Sequence, residues 1–315
     1  MLNLSDAQVR TLLSAREVIA AIERAFACDY PGSVHMPTRM QVEIPPHGVL
    51  LIMPCYNSAL PAMGVKLVFV REDAAPGGRV QATYALLEPA SGDLLALLEA
   101  SYLTELRTAA TSAVATKFLA REDSTILGIF GTGRQARAHL AVFAEVFAFH
   151  RGLVCGSSLA RGEEFIRTAA AGSLKLEAAD ARTVLTEADV ICTCTTSSEP
   201  LFDGRWLRPG THLNLVGAFR PATREVDDET IRRARVSVDT YDGALAEAGD
   251  LVIPMQRGAV TRDHIAADLH ELVSGKKSAR RSADEITLFK SVGCALEDLV
   301  TADLVYHRAL RTAGS

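Results

Sequence analysis

This chain of 315 residues lacks several patterns that define other classes of protein. Its apolar runs all fall short of the ~20 residues of a membrane-spanning helix, so a membrane partner is not expected. A formal net charge of −5 provides no basic surface, so nucleic acid is not an expected partner either. The N-terminal residues show no basic segment followed by an apolar one, which argues against a signal peptide.

Cysteine and histidine are present, but without the spacing of a metal site or a disulfide framework. The six cysteines include no CxxC pair, and the eight histidines include no HxxxH pair. We therefore expect no bound metal and no disulfides, which fits a reducing, cytoplasmic location.

The composition indicates a globular protein with two domains. The hydrophobic fraction of 48% and the charged fraction of 23% are typical of soluble proteins. A chain of this length is long for a single hydrophobic core and suits two domains.

The clearest motif is a glycine-rich turn between a predicted strand and a predicted helix. Residues 125–130 are apolar and β-branched, and Gly131-x-Gly133-x-x-Ala136 follows them. In a dinucleotide-binding turn Gly131 permits the tight bend, Gly133 lets the backbone approach a pyrophosphate, and Ala136 lets helix and strand pack closely. The phosphates would bind backbone N–H groups at the helix N-terminus. Glycine turns also serve structure alone, but the flanking strand and helix favour nucleotide binding here.

The patterns on either side of this motif predict two different domains. Residues 1–119 predict one or two helices over residues 5–27, broken near Ser14, then antiparallel strands and a helix over residues 103–119. Residues 120–291 alternate strand and helix, which predicts a doubly wound parallel sheet of the Rossmann type. Helices are also predicted over residues 263–273 and 288–300, and residues 292–315 are expected to complete the first domain, an α+β domain with a mainly antiparallel sheet.

The end of the second Rossmann strand bears on the choice of cofactor. NAD-selective sites place a carboxylate there for the ribose 2′-hydroxyl. This chain instead has Ser157 and Ser158, with Arg161 nearby, which could bind a 2′-phosphate. The residues therefore favour NADP(H) over NAD(H), although an ordinary turn with Arg161 in water remains an alternative.

Three cations are candidates for substrate binding. Arg39 and Lys66 are expected on adjacent first-domain strands, and Arg107 in the helix that enters the nucleotide domain. Surface cations are usually solvated, but three near an expected cleft between domains suggest an anionic substrate, most simply a carboxylate. Lys66 could also take part in proton transfer.

Two later segments hold polar residues with more than one interpretation. The loop after the strand that ends at Val216 is expected at the cofactor, and it contains Glu225 and Asp227. Capping of the next helix is favoured over catalysis for both. Ser291 either faces the nicotinamide or is an N-cap.

Several motifs together resemble the ornithine cyclodeaminase and mu-crystallin family over almost the whole chain. They are Leu51-Ile-Met-Pro54, Gly64-Val-Lys66, Leu106-Arg-Thr-Ala-Ala-Thr-Ser112, Gly131-Thr-Gly-Arg-Gln-Ala136, Leu213-Asn-Leu-Val-Gly217 and Leu288-Phe-Lys-Ser-Val-Gly-Cys-Ala-Leu-Glu-Asp298. The resemblance implies a homodimer, with the first domain binding substrate and forming the dimer, and a Rossmann domain for NAD(P).

The resemblance also implies site residues. Arg39, Lys66 and Arg107 match positions that hold the substrate carboxylate, with Lys66 and Arg107 expected to be catalytic. Together with the residues chosen above, the expected cofactor contacts are Thr83, Thr108, Gly131, Thr132, Gly133, Arg134, Gln135, Ala136, Ser157, Ser158, Arg161, Thr195 and Ser291.

Two departures from the ornithine cyclodeaminase pattern separate this chain from that activity. Leu51 stands where those enzymes carry a Glu, and Phe219 where they carry a catalytic Asp. Neither side chain can organise an amine or guide a proton. Segments 217–225 and 247–251 look closer to the branch that reduces cyclic ketimines. Leu51, Met53 and Phe219 would form an apolar wall against the ring methylenes.

The sequence therefore predicts NAD(P)H-dependent reduction of Δ1-pyrroline-2-carboxylate and Δ1-piperideine-2-carboxylate to L-proline and L-pipecolate. Three alternatives remain open: a linear, alanine-type amino-acid dehydrogenase, a non-catalytic NADP- or ligand-binding protein, and ornithine cyclodeaminase. Ring size, direction and proton donor stay undecided.

Overall fold

The structure, a computed structural model, describes residues 1–28, 30–72 and 80–313. The chain forms two compact units, unit 1 from Met1–Thr108 with Cys294–Ser315 and unit 2 from Ala109–Gly293. The boundary lies inside the helix Ser101–Leu119, whereas the sequence pattern changes near residue 120. Within the described ranges no helix is long and apolar enough to cross a membrane. The cytoplasmic location stays a prediction.

Unit 1 is built on a mainly antiparallel sheet. Its strands are β1 (Leu2–Leu4), β2 (Val34–His35), β3 (Met40–Ile44), β4 (Gly48–Asn57), β5 (Ala62–Arg71), β6 (Val80–Leu87) and β7 (Leu94–Glu99). Among the described residues they run in the order β1-β7-β6-β5-β4-β2, with β3 paired to β4. The β1–β7 pair is parallel and the other pairs are antiparallel.

Unit 1 also contains helices, and the C-terminal one packs on the sheet. The helices are α1 (Asp6–Leu12), α2 (Ala15–Ala27), α3 (Tyr30–Ser33), the start of α4 (Ser101–Leu119) and the C-terminal α12 (Ala295–Ala313). The Ser14 hydroxyl caps α2 by accepting from the backbone N–H of Glu17, which confirms the predicted break near Ser14. α12 packs against α2 and across β4, β5 and β6. Alternate residues of these strands are therefore buried, as period-two patterning requires.

Unit 2 is a doubly wound sheet. Its strands are β8 (Ile126–Phe130), β9 (Arg151–Cys155), β10 (Lys175–Ala178), β11 (Val190–Thr193), β12 (His212–Leu215), β13 (Ala234–Val238), β14 (Ile265–Asp268) and β15 (Ile286–Lys290). Its helices, besides the end of α4, are α5 (Arg134–Val146), α6 (Leu159–Thr168), α7 (Ala181–Glu187), α8 (Asp228–Arg233), α9 (Tyr241–Glu247), α10 (Gly249–Gln256) and α11 (Leu269–Val273).

The order of these strands locates the expected cofactor crevice. In the part of the chain that the structure describes, the order is β10-β9-β8-β11-β12-β15-β13-β14, and every pair is parallel. The connections run one way from β8 through β9 and β10, and the other way from β11. The switch point therefore lies between β8 and β11, where a dinucleotide binds outside the carboxyl ends.

Two predicted helices were right only in their second halves. Residues 263–273 form a short 3₁₀ turn, strand β14 and then the helix α11, and residues 288–300 begin inside strand β15 and become helical only at Ala295. All five residues of β15 are buried between β12 and β13. Continuous apolar runs do not distinguish a buried strand from a helix.

The buried His139 makes the stability of unit 2 depend on pH. Nδ1 of His139 lies 2.8 Å from the carbonyl oxygen of Gln135, and since a carbonyl only accepts, Nδ1 carries the proton. Nε2 then accepts from the Ser112 hydroxyl at 3.0 Å. Burial lowers the pKa of His139 from 6.5 to about 4.

Replacing His139 with Gln is expected to make the protein less sensitive to acid. Between pH 6.5 and about 4 the unfolded chain binds a proton at His139 that the folded chain does not, so the free energy of unfolding falls as the pH drops through this window. For one such group the fall reaches ~1.4 kcal/mol per pH unit. Urea unfolding at neutral pH and at a pH inside the window measures the loss, with the exposed His150→Gln as control. Equal losses for H139Q and wild type would contradict this role.

Candidate active site

Strand β5 places Lys66 on the buried face of the unit 1 sheet. Its neighbours in the sheet are Met53 on β4 and Tyr84 on β6, and directly opposed residues share a face. The side chain is 1% exposed. The Lys66 ammonium lies 2.6 Å from Oδ1 of Asp298 on α12, so a buried cation meets a buried anion.

Arg107 on α4 joins the same group of charges. Its Nε lies 2.8 Å from Oδ1 of Asp298, and its Nη1 donates to Oε2 of Glu297 at 2.5 Å. Both carboxylates are fully buried, while the Arg107 side chain is 6% exposed. The structure therefore brings the predicted Lys66 and Arg107 together and pairs them with two acids.

The environment of this cluster shifts several pKa values. Burial lowers the pKa of Lys66 to about 8, aided by the charge of Arg107 and opposed by Asp298. Burial also acts against the charge of Arg107, but Asp298 and Glu297 outweigh it and raise the pKa of Arg107. Burial raises the pKa of the Cys55 thiol to about 12, so it remains a thiol near neutrality. Lys66 is therefore the group of this cluster with a pKa shifted toward neutral pH.

The other predicted residues of unit 1 lie at different distances from this group. Leu51 and Met53 are buried on the same face of β4. Arg39 is half-buried and precedes β3, and since β4 separates β3 from β5, the prediction that Arg39 and Lys66 occupy adjacent strands was wrong. Thr83 is exposed on the opposite face of β6 from Tyr84.

Thr108 is buried on α4, where its hydroxyl donates to the carbonyl oxygen of Thr104 at 2.7 Å. The proposed cofactor contacts of Thr83 and Thr108 stay predictions.

In unit 2 the glycine turn has the geometry that a dinucleotide needs. Gly131 has φ +107°, and a Cβ there would lie 2.6 Å from the carbonyl oxygen of Cys194, so a side chain is excluded. Gly133 is the N-cap of α5, makes no side-chain cap, and has open space where a Cβ would stand. Thr132, Arg134 and Gln135 continue this turn, and Ala136 is fully buried. These residues fit the pyrophosphate of a nicotinamide dinucleotide.

Three residues after β9 were predicted to choose between NADP and NAD. Ser157 and Ser158 are exposed, and the Ser158 hydroxyl caps α6. Arg161 is 65% exposed and pairs with Glu164 at 3.0 Å across one turn of the helix. Surface pairs of this kind contribute ~0–1 kcal/mol, so a ligand phosphate can compete for the guanidinium.

Glu225 is not a helix cap, and that favoured interpretation was wrong. Its buried carboxylate accepts from the hydroxyl of Thr193, from the backbone N–H and hydroxyl of Thr195, and from the N–H of Gly217. It therefore ties together the chain after β11 and the chain after β12. Asp227 is the N-cap of α8, as predicted.

A second buried ion pair supports the same edge of the sheet. The Lys290 ammonium, at the end of β15, lies 2.9 Å from Oδ2 of Asp250 and donates to the carbonyl oxygen of Ala218 at 2.5 Å. Asp250 Oδ1 accepts the backbone N–H of Glu225. The half-buried Phe219 follows Ala218 directly, so this pair holds the start of its loop.

Ser291 is not the helix N-cap that was one of its two expected roles. Its hydroxyl donates to Oδ2 of Asp239 at 3.1 Å, and α12 begins only at Ala295, so Ser291 is not the N-cap of that helix. Asp239 also accepts the N–H groups of Val292 and Gly293. A cofactor contact by Ser291 stays a prediction.

Glu297 and Asp298 are the main site residues that sequence reasoning missed. Both belonged to a recognised motif, but no role was assigned to them. A usable signal was present, because the two adjacent acids stand in an apolar segment that runs from Val292 to Val300. Acids in such a segment are rarely buried unless they are paired.

The chain resembles known proteins in both sequence and structure. The sequence model of the "Ornithine cyclodeaminase/mu-crystallin family" matches residues 1–313. The ketimine reductase mu-crystallin of Rattus norvegicus is 39% identical over 303 residues, which cover 94% of this chain and 93% of that protein.

Two solved structures resemble the chain along almost its whole length. The Δ1-pyrroline-2-carboxylate reductase of Thermococcus litoralis, in complex with NADH and L-proline, is 39% identical with a TM-score of 0.95, covering 99% of this chain and 98% of that one. An archaeal alanine dehydrogenase dimer with bound NAD is 30% identical with a TM-score of 0.93, covering 99% and 97%. These likenesses confirm the predicted fold class.

Proposed function

We propose a function from one premise, that this chain belongs to the ornithine cyclodeaminase/mu-crystallin family. The protein is a nicotinamide-dependent oxidoreductase that reduces cyclic ketimines bearing a 2-carboxylate, giving L-proline or L-pipecolate. The names of the rat and Thermococcus relatives support this reaction. The observation that carries it is the buried pair of cations, Lys66 and Arg107, beside the apolar Leu51 and Met53.

Unit 1 supplies the substrate-binding groups in this proposal. Arg39, Lys66 and Arg107 hold the substrate carboxylate, since charged hydrogen bonds of this kind contribute ~1.5–3 kcal/mol each. Leu51 and Met53 contact the ring methylenes. Phe219 belongs to unit 2, and its contact with the ring stays a prediction. Lys66 has a pKa of about 8, so it exchanges a proton near neutral pH and is the proposed proton donor to the imine nitrogen.

Unit 2 supplies the cofactor site in this proposal, through the glycine turn and α5. When bound, the reduced nicotinamide supplies the hydride that converts the C=N bond to an amine. NADP(H) is the proposed cofactor, because residues 156–161 contain no carboxylate and offer two hydroxyls and a guanidinium. Thr195 is a proposed contact because it lies two residues after the end of β11, at the switch point.

A linear amino-acid dehydrogenase is the second candidate. The likeness to an archaeal alanine dehydrogenase favours it, and a carboxylate clamp would serve that substrate equally well. Ornithine cyclodeaminase is disfavoured, because Leu51 is buried among apolar residues and Phe219 cannot act as an acid.

The exposed face of the unit 1 sheet supports a homodimer. Met40 is 61% exposed, Val42 41% and Leu67 40%, and the half-buried Ile52 lies between Met40 and Leu67 in register. A contiguous exposed apolar face of this kind is typical of a protein interface. The solved alanine dehydrogenase relative is a dimer, so a second copy of this chain is the proposed partner.

The wild-type protein is expected to oxidise NADPH in the presence of either Δ1-pyrroline-2-carboxylate or Δ1-piperideine-2-carboxylate, and to leave ornithine with NAD unchanged.

Arg39→Ala is expected to raise the KM for the imine roughly tenfold to a hundredfold, since a charged hydrogen bond is lost. Loss of NADPH absorbance measures the rate, with the exposed Arg311→Ala as control. Turnover of pyruvate with ammonia, but of neither imine, would favour the dehydrogenase. Cofactor binding without any turnover would favour a binding protein.

Arg161→Ala is expected to raise the KM for NADPH roughly tenfold or more and to leave the KM for NADH unchanged, since only NADPH carries the 2′-phosphate. Arg167→Ala, on the same helix and also exposed, is the matched control. An unchanged ratio of the two KM values would remove Arg161 from the site.

Leu67→Asp is expected to convert a dimer into a monomer, because a charge would be buried without a partner in the apolar face. Light scattering after size exclusion gives the mass. Leu159→Asp, at a position 58% exposed on α6, is the control and keeps the wild-type mass. A monomeric wild type, or a dimeric L67D, would contradict this interface.

A further inference from the structure

Lys66, Arg107, Glu297 and Asp298 form a buried cluster of charges in unit 1. Burying its two acids costs free energy, and packing alone does not explain why they are there. Glu297 and Asp298 are fully buried in the first turn of α12. Removing a carboxylate from water costs several kcal/mol, and well-packed apolar residues often replace buried ion pairs without loss of stability. A purely structural role would therefore not require four charged side chains at this point.

The contacts of the two acids differ. A single oxygen, Oδ1 of Asp298, lies 2.6 Å from the Lys66 ammonium and 2.8 Å from Arg107 Nε. Glu297 contacts the guanidinium of Arg107 at Nη1. Asp298 therefore contacts both cations and fixes them relative to each other.

One carboxylate oxygen of Asp298 has no hydrogen-bond donor. Among the described residues, no donor pairs with Oδ2 of Asp298, and the hydroxyl of Tyr84, the neighbour of Lys66 in the sheet, also has no partner. Buried polar atoms are nearly always hydrogen-bonded, so orphans of this kind occur where a ligand or water binds.

We propose that Asp298 is a positioning residue for the reaction of this protein. It holds Lys66 and Arg107 side by side so that both meet one substrate carboxylate, and it keeps the proton on Lys66 until the imine nitrogen receives it. The proton moves from the Lys66 ammonium to the imine nitrogen, which leaves a neutral amine on Lys66. The role rests on the proposed function.

The groups around Lys66 make this role measurable. The groups that face it are Cys55 on β4, Tyr84 on β6, Arg107 on α4, and Glu297 and Asp298 on α12. Burial raises the pKa values of the thiol and the phenol, so neither competes for protons near neutrality. Asp298 raises the Lys66 pKa through both charge and a hydrogen bond, whereas Glu297 acts on it through charge alone and most weakly.

Asp298→Asn tests the role, because it keeps the size and an acceptor oxygen but removes the charge. The alkaline limb of the kcat/KM profile for Δ1-piperideine-2-carboxylate is expected to move down by about one pH unit or more, with a KM raised about tenfold. Glu297→Gln is the matched control on the same turn of α12. It is expected to raise KM through Arg107 and to leave the alkaline limb near its wild-type position.

Asp298→Glu separates the effect of the charge from that of its position. It also tests the role of Asp298 if D298N does not fold. It keeps the charge but displaces the oxygen, so the alkaline limb should stay while KM rises. A wild-type KM and an unmoved limb in both Asp298 variants would overturn the proposal. An identical limb shift in E297Q and D298N would also overturn it.

Binding of L-proline, followed by calorimetry across the same pH range, keeps this test separate from the proposed function. If the wild type reduces neither imine, the proposed function fails. A shifted pH dependence of proline binding in D298N, with weaker but unshifted binding in E297Q, still supports Asp298. Equal binding by wild type and D298N, or no binding by any of them, would overturn it.

Discussion

The ion pair between Lys66 on β5 and Asp298 on α12 is the contact on which the candidate site of unit 1 depends. It joins the middle of the sheet to the helix that covers it, and both side chains are essentially inaccessible to water. Removing one partner of a buried pair leaves an uncompensated charge, which costs about 3–5 kcal/mol. The pairing of α12 with the sheet and the placement of two cations are therefore one structural feature.

Unit 2 uses buried charge in the same way at the edge where the cofactor is proposed to bind. Glu225 gathers donors from the ends of β11 and β12, and the Lys290–Asp250 pair holds the next turn of chain. Burial raises the pKa of Glu225, and the nearby charge of Lys290 opposes that shift. Buried charged groups that pair within the protein therefore hold the two cations in unit 1 and the loops after the strands in unit 2. A site held this way needs little rearrangement when a ligand arrives.

The sequence predicted what local chemistry determines. The glycine turn, the N-cap at Ser14 and the antiparallel strands follow from turn residues and short-range periodicity, and each was found. The end of strand β15 falls inside the helix predicted over residues 288–300, because an apolar run carries no information on its neighbours in the fold.

The partners of charged residues were harder to predict, for a related reason. Lys66 could be chosen by residue type and position, but its counter-ion lies 232 positions later in the chain. Glu225 looked like a cap because a helix follows it, while its real donors come from strands that only the folded sheet brings together. Contacts across large sequence separations leave no local pattern.

Two carboxylates of the ornithine cyclodeaminase pattern are absent here, where Leu51 and Phe219 stand. In ornithine the carbon that bears the amine must lose a hydride, and the nitrogen a proton, before the chain can cyclise, and an acid near the nitrogen assists both steps. A cyclic ketimine already contains the C=N bond, so a fixed carboxylate, a fixed nicotinamide and one proton suffice. Leu51 and Phe219 supply no acid for the first reaction, while Lys66 and Arg107 are the cations proposed above to serve the second one. The pattern of losses and retained charges therefore favours reduction of an existing imine over its formation.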